Sequence, residues 1–183
     1  MKRIGTLCAL LSICSQTSAF RPTNNSASPP DRFAVRRDMS AQTQYDDGLS
    51  KQLSRYQTRE PIPNDRVFFI ELGFGNDSHG QSSTKAAVRA CRNSIEFNSI
   101  PSIQRLIPDG GYEKLKLDVL LAVPPKYQSG LDLDEVAKVF PYGNVRFELQ
   151  DGGMVAPSGI AIERLGDVND DMVVVCASVT VGH

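Results

Sequence analysis

The apolar run Val67-Phe68-Phe69-Ile70 leads into Glu71-Leu72-Gly73-Phe74-Gly75-Asn76-Asp77-Ser78-His79-Gly80. Behind it, Gln81-Ser82-Ser83-Thr84 opens the helix-forming stretch Lys85-Ala86-Ala87-Val88-Arg89-Ala90-Cys91. Strand, glycine-rich loop and helix in this order constrain the chain most, because they require a sheet with a helix packed back onto it. Gly73, Gly75 and Gly80 permit a tight turn, and a helix start presents unpaired N–H groups and the positive end of a dipole. Ser83 or Thr84 is the expected N-cap.

Further along, Leu115, Leu117, Val119, Leu121 and Val123 alternate with Lys114, Lys116 and Asp118, which predicts a strand with one wet side. Leu131 to Phe140 reads as a short helix with acids in its first turn. Val145 to Gln150 is a third strand, Ile160-Ala161-Ile162 a small return strand, and Met172 to Val181 a long valine-rich final strand. The order β-α-β-α-β-β predicts an α+β domain: a mixed four-stranded sheet with helices on one face. On the wet faces, Leu120, Ala122, Val174 and Cys176 are apolar enough to suggest a partner subunit. Cys91 and Cys176 are expected as small buried hydrophobes, and no cysteine spacing fits a metal site.

Charge separates the two ends of the chain. Residues 1–60 hold nine Lys/Arg against five Asp/Glu, and residues 61–183 hold eleven against sixteen. An acidic domain without a basic cluster argues against nucleic acid as partner. Lys2-Arg3, the apolar segment Ile4 to Cys14 and the small residues Thr17-Ser18-Ala19 have the anatomy of a signal peptide, expected over 1–19. That segment is too short to span a bilayer, so no membrane is expected in the mature form. Residues 20–62 read as a transit peptide and disordered linker, with Leu49, Leu53 and Tyr56 at helical spacing inside it; residues 63–183 form the single domain. The junction Thr17-Ser18-Ala19-Phe20 resembles that of two-part presequences for secondary plastids. This implies a plastid destination; secretion is the alternative. A glycan at the Asn76-Asp77-Ser78 sequon would obstruct the glycine loop, which favours the plastid.

The loop is not a dinucleotide fingerprint, because its third glycine falls at the wrong spacing, and it lacks the Gly-Lys-Ser/Thr ending of a P-loop. Asp77-x-His79 could supply two metal ligands, or an imidazole oriented by a carboxylate for proton transfer. It could equally be a capped turn. Gly73, Gly75, Gly80, Ser82, Ser83, Thr84 and Lys85 would hold a small polar or anionic molecule. Glu71, a carboxylate inside an apolar strand, needs a partner or a proton and would assist. A second polar cluster, Asp167, Asn169, Asp170 and Asp171, could ligate a hard cation or simply be a solvated turn. No cofactor follows from these residues, and the metal is left unnamed.

The run Ile70-Glu71-x-Gly73-x-Gly75-x-Asp77-x-His79-Gly80, followed by Thr84-Lys85-Ala86-Ala87-Val88-Arg89-Ala90, resembles the Lin-type conserved hypothetical proteins. These are bacterial proteins with longer, targeted relatives in plastid-bearing organisms. Leu121-Ala122-Val123-Pro124, Pro141-Tyr142-Gly143, Gly152-Gly153 and Gly166-Asp167-x-Asn169-Asp170 extend the resemblance over residues 66–183. It implies no activity, since the family has none established. The element order is similar to the chorismate-mutase-like fold, which implies a homo-oligomer, a trimer among the options, with ligand sites between subunits. Two functional expectations follow. One is a plastid enzyme using His79 and Asp77, with Glu71, for acid–base or metal-assisted chemistry; the other is a non-catalytic ligand-binding or homo-oligomeric assembly module.

Overall fold

A computed structural model describes residues 45–107 and 111–183. The expected signal peptide, and residues 20–44 of the expected transit segment, lie outside the described residues. The first described helix, α1 (Asp47–Tyr56), is capped by Asp46, whose side chain accepts the Leu49 N–H. Leu49 and Leu53 are buried in the core. The Tyr56 ring meets Phe147 edge-to-face at 5.0 Å, and Arg55 and Tyr56 both bind Asp134. The segment expected as a linker is therefore structured from Tyr45 onward. Its helical spacing was a real amphipathic stripe, and burying two leucines contributes about 1.5–3 kcal/mol each.

Five strands form one mixed sheet: β1 (Val67–Asp77), β2 (Lys116–Val123), β3 (Asn144–Asp151), β4 (Met154–Pro157) and β5 (Asp171–Gly182). The order is β1-β5-β2-β3. β5 runs antiparallel to β1 and β2, and β2 runs parallel to β3. β4 pairs with Asp171 to Val174 of β5, beyond the point where β2 stops at Cys176. The sheet thus has five strands where four were expected. The return strand is Met154–Pro157; residues 160–162 are not a strand. Gly153 turns the chain at φ 70°, and the Ile162 N–H goes to the Asp167 carboxylate instead of a ladder partner.

Helices α2 (Ser83–Ile95), α3 (Ile103–Leu106) and α4 (Leu133–Ala137) complete the domain. The core holds Leu117, Val119, Leu121 and Val123 of β2, Phe147 of β3, and Val175, Ala177, Val179 and Val181 of β5. Against them pack Leu49 and Leu53 of α1, Ala86, Ala87, Ala90 and Cys91 of α2, and Val136 of α4. One side chain set per strand is used, as the period-2 alternation predicts, and the helices share that face. The buried stripe of α2 is made of small residues, so its backbone lies close to the sheet.

Two glycines set how close. A Cβ added at Gly73 would lie 2.3 Å from the Ala90 carbonyl oxygen and 2.6 Å from the Ser94 nitrogen. At Gly75 it would lie 2.4 Å from both the Ala86 oxygen and the Ala90 nitrogen. The expected glycine loop is therefore mostly strand. β1 runs through Gly73 and Gly75 to Asp77, and alternate positions 73, 75 and 77 face α2. These glycines admit a helix, and no ligand-cradling role is needed to account for them.

Candidate functional site

The true loop after β1 is short, residues 78–82. Ser82 is the N-cap of α2, its hydroxyl accepting the Lys85 N–H, one residue earlier than expected. Asp77 closes the strand with its side chain almost wholly buried. One oxygen accepts the Ser82 N–H at 3.0 Å, and the other accepts from Arg89 Nη1 at 2.8 Å. Both oxygens are thus committed to the strand–helix joint, so Asp77 does not orient His79. Arg89 is that carboxylate's counter-charge.

His79 finds another acid. Its Nδ1 lies 2.9 Å from Oδ2 of Asp167, 88 residues away. The Asp167 side chain is fully inaccessible, whereas the imidazole keeps 40% of its surface exposed. Asp167 also accepts the Gly80 N–H at 2.6 Å and the Ile162 N–H at 2.7 Å. His79 and these two backbone donors hold its pKa down at about 2, against the opposing effect of partial desolvation. With Nδ1 engaged by the carboxylate, Nε2 is the ring nitrogen left over on a partly exposed imidazole.

Gln81 holds the same two loops together, and nothing in the sequence reading singled it out. Its backbone is left-handed at φ 47°, a conformation that costs a non-glycine residue about 1 kcal/mol. Its side chain offsets this by accepting the Val168 N–H and donating to the Asn169 and Asp171 carbonyls. Asp171 in turn accepts from Lys126 Nζ and Tyr127 OH, both at 2.6 Å, which lowers its pKa. A local pattern could not reveal these partners, because each pair is separated by more than forty residues.

The remaining expected site residues are dispersed. Lys85 Nζ would lie 3.8 Å from a Cβ built on Gly80, so its amine is beside the loop. Ser83 is buried, and its hydroxyl has no partner. Thr84 joins α2 to the segment before α4: it donates to the Gly130 carbonyl and accepts the Asp132 N–H. Asn169 uses its side chain within its own turn, accepting the Asp171 N–H. Asp170 is exposed and contributes only its carbonyl, to Ser158. Glu71 lies six residues up β1 from Asp77, roughly 20 Å at strand rise, and binds Asn98 instead. Among the described residues no three His, Cys, Asp or Glu side chains converge to hold a metal. Cys91 is buried as expected, which pushes its thiol up to about 12, but Cys176 is exposed.

The chain's match to known proteins spans this whole unit. A family model described as a conserved hypothetical protein, Lin0512_fam, matches residues 67–181. The protein belongs to this Lin0512 family. The Lin0512 chain is also similar to the crystal structure of an FtsZ-like protein of unknown function from Nostoc punctiforme PCC 73102. They share 36% identity over 63% of this chain and 93% of that one, with a TM-score of 0.57. No curated protein matches the Lin0512 chain. Its matched region begins at the first residue of β1 and ends one residue before the last of β5, so α1 precedes the part matched to the family.

Proposed function

We propose that this chain is a homo-oligomeric module whose copies associate face to face through the side of the sheet that carries no helices. One observation carries the reading: Ile70, Leu72 and Phe74 are 54%, 75% and 67% exposed on that face. Their neighbours in register include Cys176 and Ser178 on β5, and Leu120 and Ala122 on β2. Met154 of β4, also exposed, stands opposite Val174. The outward rows of β1 and β5 contain no charge from Ile70 to Phe74 and from Val174 to Thr180.

Ion pairs neutralise Asp118, Arg146 and Glu148 at the border of the face. Arg59 lies 2.7 Å from Asp118, in charge contact, and Arg146 pairs with Glu148. A face of uncommitted apolar groups, with paired charges along most of its border, suits a copy of itself better than a charged partner. A two-fold pairing would be self-complementary and closed. Sedimentation equilibrium tests it: a dimer mass is expected for residues 45–183, and Leu72→Arg should give a monomer that melts no lower than the folded wild-type subunit. A wild-type monomer at about 100 μM sinks the reading, and a trimer would mean that a different surface is used.

A second reading, proton transfer on a small polar or anionic molecule, is favoured by the His79–Asp167 pair. A buried carboxylate fixes the imidazole, the ring stays partly exposed, and the Lys85 amine stands beside the loop as a counter-charge. Asp167 takes the orienting role expected of Asp77. Inorganic phosphate is the simplest probe. It should shift the His79 ring resonances, and His79→Gln should remove the effect; unmoved resonances at about 10 mM phosphate would dismiss an anion site here. The plastid destination is likewise a proposal. A fluorescent fusion of residues 1–60 should enter a secondary plastid, and a secreted signal would replace that assignment.

A further inference from the structure

A cleft of about 210 Å³ opens at the end of the domain opposite the His79 loop, on the helix side of the sheet. Its walls are apolar, including Ile95, Ile103, Leu117, Phe140 and Val181. Only one charged residue lines it, Glu71, and its only amide is Asn98. The Asn98 amide nitrogen uses its two hydrogens on Glu71 Oε2 at 2.7 Å and on the Ser94 carbonyl at 2.8 Å. What remains is a pair of acceptors: the second carboxylate oxygen of Glu71 and the side-chain carbonyl of Asn98. No lysine or arginine among the described residues pairs with Glu71, and the Tyr142 ring lines the same cleft.

We propose that this cleft binds a small organic monocation: an ammonium group on an apolar body. A carboxylate and a carbonyl oxygen with no remaining donor between them call for a ligand that brings donors and a positive charge. An aromatic ring in the same lining adds a face that attracts cations. The apolar walls select the body. At roughly 30 Å³ for a water-sized group, the space holds about seven such groups, the size of a hexyl or benzyl amine. The ligand class gives a role to Glu71, whereas the other inward acid of β1, Asp77, is paired with Arg89. The inference is independent of both readings of the oligomer face and the His79 loop, since it uses none of their residues.

Benzylamine, benzyl alcohol and benzoate are matched probes of one size and three charges, to be titrated at pH 7 against the folded protein by calorimetry and amide-shift mapping. Benzylamine should bind and shift the amides of Ile95 to Ile103. Benzyl alcohol should bind at least roughly tenfold more weakly, as expected from losing a charge-assisted hydrogen bond, and benzoate not at all. Glu71→Gln should weaken benzylamine by a similar factor while leaving benzyl alcohol unchanged. Ile103→Trp, which fills the cleft from the short exposed helix α3, should abolish both. Equal affinity for amine and alcohol would overturn the cation assignment. Failure of all three to bind at about 10 mM, or shifts confined to other residues, would overturn the site.

Discussion

Gly75→Ala separates a glycine that admits a helix from a glycine that cradles a ligand. The added Cβ would fall 2.4 Å from the Ala86 oxygen and the Ala90 nitrogen, against the 3.4 Å at which ordinary contact begins. Both are backbone atoms of α2, so no side chain can rotate away, and the helix must withdraw by about 1 Å. A gap of that size forfeits a quarter to a half of the dispersion energy across the affected contacts. Overpacking of this kind costs about 1–3 kcal/mol, and the lower chain entropy of alanine gives back about 0.4–1 kcal/mol. A net loss of about 1.3 kcal/mol corresponds to a melting point roughly 4–6 °C lower for a domain of this size. Thermal unfolding followed by circular dichroism at 222 nm would measure it, with Gly73→Ala expected to behave alike. Gly130→Ala is the control, because its new Cβ would meet nothing closer than the Ser83 hydroxyl at 3.6 Å. If Gly75→Ala melts within about 2 °C of wild type, the close-packing argument is wrong, and the glycines are there for another reason.

Asp167 gives the chain a pH signature. Its folded pKa, about 2, lies below its ordinary value of 3.8, so its contribution to stability is fully present above about pH 4 and is lost as pH falls through about 2. The stability gap between wild type and Asp167→Asn, measured by urea titration, should therefore narrow between pH 4 and pH 2; a constant gap would show that the carboxylate is not held ionised. Leu49→Ala should cost about 2–5 kcal/mol, and a protein begun at residue 63 should unfold at much lower temperature than one begun at residue 45. Equal melting of the two lengths would return α1 to the status of a linker.

Several elements were legible because their signal is local. The alternation of Leu117, Val119, Leu121 and Val123 gives the buried face of β2, and Ala87, Ala90, Cys91 and Ser94 mark the stripe of α2. The spacing of Leu49, Leu53 and Tyr56 signalled a helix, but not that its apolar side would be covered by β3 and α4. The site was less legible. Gly73 and Gly75 have the same letters whether they turn a loop or thin a strand, and the choice depends on a helix packed above them. The sequence reading paired His79 with Asp77, but the acid beside it in the fold is Asp167, because Asp77 is drawn inward by Arg89 and the Ser82 N–H.

Taken alone, the amino-acid order determined most of the strands and helices, which faces of them are apolar, and that polar chemistry gathers after the first strand. Those properties depend on residues within a turn or two of each other along the chain. Tertiary structure alone decided the charge partners, the length of β1, the place of Glu71 in a separate cleft and the exposure of Ile70, Leu72 and Phe74. The reason is that a carboxylate or an apolar row is satisfied by whatever the folded sheet brings alongside, and the sheet joins residues as much as 115 positions apart, such as Val67 and Gly182.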